Sequence, residues 1–265
     1  MGGQLANGNG KAVRQFLTER FGKVLSRSSC LRSLHRLDFV GRRPNQRFTK
    51  ADPVKRAAFI EQYAVLVAEA RRTETKIFFA DAAHFRADVD LRGRWVQRGK
   101  PALVDSNRPR WGEKASYYSA VCWETGEVEV MELEGNSCAA TSVAFLQQLR
   151  AHHPEPLIVI GDNGPAHGGD AMRVYLATPN LRLHLVRLPA YCPDFNPDEA
   201  VGKWVREEVT ANTCLGTKAK VEQQVGAFFS GLGQRLPEVQ RRCRTRLQAE
   251  AESLTAYVVS TWALL

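Results

Sequence analysis

The sequence predicts an α/β (α+β) protein in which a mixed sheet is covered by helices and preceded by a small all-α module. Three observations lead to this prediction. Positive charge is concentrated in the first 56 residues, apolar runs with hairpin turns begin near residue 75, and helix and strand patterns alternate from about residue 142 onward.

The charge is divided unevenly along the chain. Residues 1–56 carry 13 Lys and Arg against three Asp and Glu, whereas the other 209 residues carry 24 against 25. A uniformly cationic protein is therefore excluded, and the sequence describes a basic module with a net charge of +10 joined to a near-neutral body. Such asymmetry indicates a polyanionic partner.

Composition narrows the class of protein further. The chain is 44% hydrophobic and 25% charged, which is ordinary for a globular protein and excludes disordered and fibrous classes. No apolar run reaches the roughly 18 residues of a membrane span, and the N-terminus lacks the apolar stretch of a signal peptide. The six cysteines lie far apart without zinc-ligand spacing, so we expect free thiols, no membrane partner and a cytoplasmic location.

The basic module has the pattern of a helix-turn-helix. Apolar residues at helical spacing predict one helix over 11–21 and a second over 28–37, with Gly22 as the stop between them. The second would be the recognition helix, and Ser26, Ser28 and Ser29 are candidate N-caps and phosphate ligands. A basic helical hairpin with a solvated face is the alternative.

A basic stretch and a further helix follow the module. Residues 41–53 contain two prolines and four basic residues, which predicts an extended linker that tracks a phosphate backbone. Apolar residues at helical spacing then predict a helix over 54–72 that leads into the body.

Strand patterns begin at residue 75. The apolar run 77–79 predicts a strand that ends at Asp81. Two hairpins are predicted, one from strands 94–97 and 102–104 and one from strands 117–123 and 127–133. The later pattern predicts strands at 157–160 and 181–186 and helices at 142–152, 169–176, 197–209, 218–229 and 236–253.

Three carboxylates occupy positions that are suited to metal binding and catalysis. Asp81 and Asp162 each follow an apolar strand, and Glu199 lies just inside the helix that begins at Asn196-Pro197. Strand ends in such sheets bring distant side chains into one cleft. Three carboxylates in one place repel one another unless a cation intervenes, and hard oxygen ligands select Mg²⁺ or Mn²⁺. Two such ions clamp an in-line phosphoryl transfer, so the pattern predicts metal-assisted phosphodiester chemistry.

Each carboxylate also has a structural explanation. Asp162 precedes Asn163-Gly164 and would open a turn. Glu199 stands three positions after Asn196 and would be its partner in a capping box. Asp81 would be a polar residue at a strand end. The combination of the three contexts favours the metal site.

Longer motifs around these carboxylates carry a resemblance to a known family. The runs VIGDNGPAH at 159–167 and LPAYCPDFNPDE at 188–199 closely resemble the second and third catalytic blocks of the mariner superfamily of insertion-sequence transposases. The run FFAD at 78–81 and the run WVQRGKP at 95–101 are similar to the first block and to the family's Trp-containing hairpin. The resemblance spans about residues 11–210, with 36 residues between Asp162 and Glu199.

The resemblance implies a fold and a division of the chain. The fold is a ribonuclease-H-like mixed sheet flanked by helices, preceded by a helix-turn-helix or winged-helix module. The segments it implies are a DNA-binding module at 1–43, a basic linker and connecting helix at 44–72, a catalytic domain at 73–212 and C-terminal helices at 213–265.

It also implies roles for the site residues. Asp81, Asp162 and Glu199 would be catalytic and would hold two Mg²⁺ ions, for which Mn²⁺ substitutes. Asn163, His167 and Asn196 would support these ligands or position the substrate. Contacts to DNA would come from Arg27, Ser28, Arg32, Arg36, Arg42, Arg43, Arg47, Arg98 and Lys100.

The implied function is transposition. Such an enzyme binds terminal inverted repeats, cuts the element ends and joins them to target DNA, as a homodimer assembled on double-stranded DNA in the cytoplasm and associated with the nucleoid. A ribonuclease-H-like nuclease with another nucleic-acid substrate is one alternative. Family members commonly carry two helix-turn-helix units and only the second is expected here, so the other alternative is a truncated, non-catalytic DNA-binding regulator.

Three positions depart from the family pattern or stay open. The family usually has Ser where Cys192 stands and an apolar residue where Asp198 stands, so Asp198 competes with Glu199 as the third ligand. Trp95 would stack on a flipped base or, as is commoner for a tryptophan among strands, belong to the core.

Overall fold

A five-stranded mixed sheet organises the larger part of the computed structural model, which describes residues 10–40, 49–106, 113–164 and 168–262. The strands are β1 (Lys76–Arg86), β2 (Lys114–Val121), β3 (Val128–Leu133), β4 (Leu157–Gly161) and β5 (Leu183–Arg187). Their order is β3-β2-β1-β4-β5; β1, β2 and β3 run antiparallel in turn, whereas β1, β4 and β5 run parallel. The prediction of a mixed sheet flanked by helices is confirmed.

Strand β1 is longer than its apolar run predicts. Its parallel pairing with β4 ends at Ala80↔Gly161, but its antiparallel pairing with β2 continues to Arg86↔Lys114. The prediction that the strand ends at Asp81 is therefore wrong, because the β2 ladder holds five more residues in strand conformation. Within the described ranges no strand pairs with the β4 side of β1 beyond Ala80.

Helices cover both faces of this sheet. Helices α4 (Ala139–His152) and α5 (Asp170–Leu176) pack on the face that carries Phe78 and Tyr118. The other face, which carries Phe79 and Phe85, packs against the larger core around Trp204. The helices on that side are α3 (Pro53–Arg72), α6 (Asp198–Val205), α7 (Lys218–Gly231), α8 (Leu236–Arg242) and α9 (Arg246–Trp262).

The chain separates into two compact units, Met1–Arg47 and Phe48–Leu265. The first contains α1 (Gly10–Phe21) and α2 (Arg27–Arg36), as predicted, with Gly22 at a φ of 62° between them. The Ser26 side chain accepts a hydrogen bond from the Ser29 N–H at 3.0 Å and caps α2. Two helices with this break form the helical part of a helix-turn-helix.

Two further predictions are corrected by the structure. Residues 94–97 and 102–104 form no strands; a turn is present, with the Lys100 N–H donating to the Gln97 oxygen at 3.0 Å, but the flanking backbone is exposed and makes no ladder. The predicted helix 236–253 is split into α8 and α9, because Thr245 and Gln248 form a cap at which α9 starts afresh.

The remaining differences are small. Helix α6 ends at Val205 and continues as one π-helical turn, Arg206–Thr210. Among the described residues, no helix is both long enough and apolar enough to cross a membrane.

Candidate active site

An open cleft of about 410 Å³ lies where β1, β4 and the N-terminus of α6 meet. The three carboxylates singled out in the sequence all line it, although they come from segments that are 81 and 37 positions apart along the chain. The lining also includes backbone and side chains of the loops after β4 and β5: Asn163, Gly164, Leu188, Pro189, Ala190, Tyr191, Cys192, Pro193 and Asn196.

Asp81 lies within β1 at the point where the parallel pairing with β4 stops. Its Oδ1 accepts a hydrogen bond from the Ala82 N–H at 2.8 Å. Burial raises the pKa of Asp81 to about 7, and the negative charges of Glu199 and then Asp162 add to the rise. Asp81 is therefore close enough to Glu199 and to Asp162 to be affected by the charge of each.

Asp162 comes directly after the last residue of β4. It faces the cleft and also opens a turn. Its Oδ1 accepts a hydrogen bond from the Gly164 N–H at 2.9 Å. A Cβ at position 164 would lie 2.9 Å from that same oxygen, so a larger residue here would require the Asp162 carboxylate to shift. The turn predicted as an alternative to catalysis is thus the device that orients the carboxylate.

Asn163 joins the two loops that border the cleft. Its Nδ2 donates to the Leu188 oxygen at 2.6 Å, which links the loop after β4 to the segment after β5. This contact ties the backbone next to Asp162 to the segment after β5.

Asn196 fixes the start of α6 against β1. Its Nδ2 donates to the Ala80 oxygen at 3.3 Å, next to Asp81, and its Oδ1 accepts from the Asp198 N–H at 3.1 Å. The Asn196 N–H donates to the Pro193 oxygen at 3.0 Å, so it does not depend on Glu199 as a capping-box partner. The Glu199 side chain is left to face the cleft.

Arg56 of α3 braces the loop that carries Asn196 and Glu199. Its guanidinium donates two hydrogen bonds to the Asp194 carboxylate, at 2.9 and 2.7 Å, and lies 4.0 Å from the centre of the Phe195 ring. Phe59 of the same helix stacks on that ring. Sequence reasoning missed this contact, because Arg56 and Asp194 are 138 positions apart and neither has a local signature.

Asp198 is buried beneath the cleft and is absent from its lining. Only 2% of the residue is exposed; Oδ2 accepts a hydrogen bond from Ser119 at 2.7 Å, and Oδ1 has no partner among the described residues. Burial raises the pKa of Asp198 well above its usual range, and the charge of Asp81 adds to the rise. Its side chain turns toward the sheet, whereas that of Glu199 faces the cleft.

The donor set fits a hard divalent cation in its chemistry. Three carboxylates line one cleft, and their mutual repulsion, seen in the pKa of Asp81, is relieved by positive charge. Within the described ranges, however, no group of three His, Cys, Asp or Glu side chains is arranged to hold an ion as it stands.

Four of the residues predicted to contact DNA from the first unit lie on α2. Arg27, Ser28, Arg32 and Arg36 are all exposed, and Ser28, Arg32 and Arg36 recur every four residues along one side of the helix. Arg42, Arg43, Arg47 and His167 lie outside the described residues.

The loop between β1 and β2 presents the other predicted contacts. Arg98 and Lys100 are exposed at the turn around Gly99, whose φ is 84°. Trp95 is fully exposed, so the prediction that it belongs to the core is wrong, since the strands expected to cover it do not form.

Comparisons with known proteins agree with this geometry. Residues 76–222 match the family model described as DDE superfamily endonuclease, and residues 9–63 match the winged helix-turn-helix model. No curated protein sequence matches the chain.

Solved structures of a mariner transposase are similar in fold. The Mos1 mariner paired-end complex with Mn aligns with a TM-score of 0.62 at 15% identity, over 94% of this chain and 76% of that chain. The pre-cleavage Mos1 transpososome aligns with a TM-score of 0.59 at 16% identity, over 90% and 74%. The mariner Mos1 paired-end complex with Mg aligns with a TM-score of 0.59 at 16% identity, over 95% of this chain and 81% of that chain.

These alignments confirm the predicted ribonuclease-H-like sheet, and the winged helix-turn-helix match confirms the predicted N-terminal module. The endonuclease model covers more than half of the residues, including all three carboxylates of the cleft. The chain therefore belongs to the DDE superfamily endonucleases.

Proposed function

We propose that this chain is a transposase that cleaves and joins DNA with the help of divalent metal ions, through Asp81, Asp162 and Glu199. One observation carries the proposal: three carboxylates from three separate segments line one cleft, where burial and mutual repulsion raise the pKa of Asp81 to about 7. A cleft that only bound a neutral ligand would gain nothing from this arrangement.

The carboxylates would hold two Mg²⁺ ions, or Mn²⁺ in their place. When bound, such ions activate an oxygen nucleophile and stabilise the charge that develops on the attacked phosphodiester. The protein supplies the placement: the Gly164 N–H orients Asp162, the Ala82 N–H orients Asp81, and Asn196 sets the start of the helix that carries Glu199. Without a cation, the Asp81 carboxyl holds a proton for part of the time at neutral pH.

The first unit would read the DNA. The exposed side of α2 that carries Ser28, Arg32 and Arg36, with Arg27 at the start of the helix, suits a major groove and its flanking phosphates. The structures similar to this chain include paired-end complexes of Mos1 transposase. We therefore propose that this chain binds terminal inverted repeats, acts on the DNA of the nucleoid, and assembles there as a homodimer, because two element ends must be brought together.

A second candidate function is a DNA-binding regulator without catalysis. The observation that favours it is the lack, within the described ranges, of three side chains already arranged to hold an ion.

Cleavage of DNA by the full chain separates the two. The substrate is a plasmid that carries several hundred base pairs of the genomic DNA flanking both ends of the coding sequence. With Mg²⁺, wild type should nick or cut it. Asp162→Asn should be slower by about a thousandfold or more and should bind the same DNA equally well. Equal nicking by both would contradict the proposed catalytic triad. Salt-sensitive binding without nicking by either would establish the regulator.

A further inference from the structure

A second cavity lies along the part of β1 that extends beyond β4. It has a volume of about 490 Å³ and is lined by His84, Arg86, Arg92 and Arg206, together with Asp88 and Asp90 and parts of Phe85, Val89 and Thr210. Since β4 stops opposite Ala80, the β4 side of β1 is free of a strand partner from Asp81 onward in the described residues. A strand edge without a strand partner therefore leads from the carboxylate cleft to this cavity, and Arg206 lies beside it with its guanidinium 3.5 Å from the His84 oxygen.

Two cations of this cavity, Arg86 and Arg206, are not neutralised by its carboxylates. Among the described residues, Arg86 makes no hydrogen bond or ion pair. The guanidinium of Arg206 lies 5.4 Å from the centre of the Phe85 ring and 3.5 Å from the His84 oxygen, and no described carboxylate lies within ion-pair distance of it. Two guanidinium groups thus retain free donors at one opening.

The two aspartates already have partners of their own. Asp88 Oδ1 accepts hydrogen bonds from the Val89 N–H at 2.8 Å and from the Ser106 hydroxyl at 3.1 Å. Asp90 accepts two from Arg92, at 3.0 and 2.8 Å. Burial and the positive charges of Lys114 and Arg206 lower the pKa of His84, which agrees with a positive field at this end of β1.

We propose that this cavity is a phosphate-binding site through which Arg86 and Arg206 hold the backbone of the DNA strand that leaves the carboxylate cleft. Free guanidinium donors at an open edge suit the paired oxygens of a phosphodiester. Strand geometry sets the distance: His84 and Arg86 follow Asp81 by three and five residues, which is about 10 and 17 Å along β1. If the duplex runs along the strand, that corresponds to about three to five phosphates from the point of cleavage.

The inference rests on the proposed function, but binding tests it separately from cleavage. The probe is a fluorescein-labelled 30-base-pair duplex of arbitrary sequence, and its binding to the full chain is measured by anisotropy across a series of KCl concentrations. Each phosphate contact contributes about 0.9 to the slope of log K against log salt. The slope of Arg86→Gln/Arg206→Gln should therefore be smaller than that of wild type by about 1.8.

A matched control removes the same charge at the opposite end of β1. Arg71 and Arg72 precede that strand and pair with Glu124 and Glu69. The slope of Arg71→Gln/Arg72→Gln should equal that of wild type. The single variant Arg86→Gln, at an exposed position, keeps the test decisive if the double variant does not fold; its slope should fall by about 0.9.

The outcomes for the two proposals are distinct. If Arg86→Gln has the wild-type slope, or if the control double variant loses as much, the phosphate site is wrong, even where wild type cleaves DNA and Asp162→Asn does not. If the slope falls as expected but wild type shows no cleavage with Mg²⁺, the phosphate site stands and the proposed catalytic function fails.

Discussion

The two compact units of the chain differ in net charge and in the number of buried side chains. Residues 1–47 carry ten Lys and Arg against two Asp and Glu, whereas Phe48–Leu265 carries 27 against 26. Among the described side chains of the first unit only Cys30 is buried, whereas the second encloses Phe78, Phe79 and Trp204 with 1% exposure or less.

This difference shows what each unit needs in order to work. A unit that meets a polyanion needs exposed cations and has few side chains left for a core, so caps and its partner must stabilise its helices. A unit that gathers three carboxylates must hold them against their own repulsion, which takes a packed core beneath them.

The largest effect is expected from the core of the second unit. Trp204 is 1% exposed, lies between the guanidiniums of Arg235 and Arg242 at 4.2 and 4.5 Å, and meets Phe228 edge-on. Trp204→Ala should lower the free energy of unfolding by about 3–5 kcal/mol. Urea unfolding followed by circular dichroism measures this. Trp95→Ala, at a fully exposed position, should stay within about 0.5 kcal/mol of wild type, and equal losses would contradict the account.

A smaller effect is expected on the cleft itself. Gly164→Ala places a Cβ 2.9 Å from Asp162 Oδ1, so the carboxylate must shift. Cleavage with Mg²⁺ should slow by about 10- to 100-fold while DNA binding is retained. The matched change Gly226→Ala, in α7 with no atom within 4 Å of the new Cβ, should leave cleavage unchanged and raise stability by about 0.5–1 kcal/mol. Unimpaired cleavage by Gly164→Ala would show that the Asp162 turn does not matter.

The buried Asp198 should make the stability of the second unit depend on pH. Its pKa is raised in the folded chain, so the folded state binds a proton that the unfolded state releases above about pH 4. The free energy of unfolding therefore falls as pH rises from about 4 toward the folded pKa. Asp198→Asn removes this contribution, so at pH 7–8 its Tm should exceed that of wild type by about 2–4 °C for each kcal/mol regained. Thermal unfolding in EDTA between pH 5 and 8 gives the Tm of both proteins at each pH. If the difference in Tm between Asp198→Asn and wild type did not change with pH, the prediction would be contradicted.

The smallest effect is expected in the first unit. Ser26→Ala removes the N-cap of α2 and should cost that helix about 0.5–2 kcal/mol. Hydrogen exchange should become faster across Arg27–Arg36 and stay unchanged in β1. Ser33→Ala, at an exposed position inside the same helix, is the control and should not accelerate exchange. Faster exchange in β1 as well would contradict the prediction, because it would mean that loss of the α2 cap also destabilises the second unit.

Local pattern accounts for the parts of the fold that were predicted. The apolar runs before Asp81 and Asp162 and the Asn-Pro start before Glu199 are short-range signals, and each element they predict is present. Asp81 and Asp162 meet in one cleft because each comes directly after the last parallel pair of β1 and β4, Ala80↔Gly161. Ser26, in the same way, is a cap that the sequence allows one to name.

What was missed depends on contacts between distant residues. The extension of β1 past Asp81 comes from pairing with β2, and the brace on the cleft comes from Arg56 and Asp194. No short-range sequence pattern indicates the β1–β2 extension or the contact between Arg56 and Asp194. The capping pair Thr245 and Gln248 is different, since a Thr followed three positions later by Gln is a readable start signal for a second helix.

Binding of Mn²⁺ to the chain without DNA tests the central claim most directly, because it does not depend on activity. Titration followed by electron paramagnetic resonance compares wild type with Asp81→Asn, Asp162→Asn and Glu199→Gln, and with Asp170→Asn at an exposed position outside the cleft. If the three carboxylates form one metal site, each of the first three variants should bind Mn²⁺ about tenfold more weakly or worse, and Asp170→Asn should match wild type. Equal Mn²⁺ affinity in all five proteins would contradict the claim.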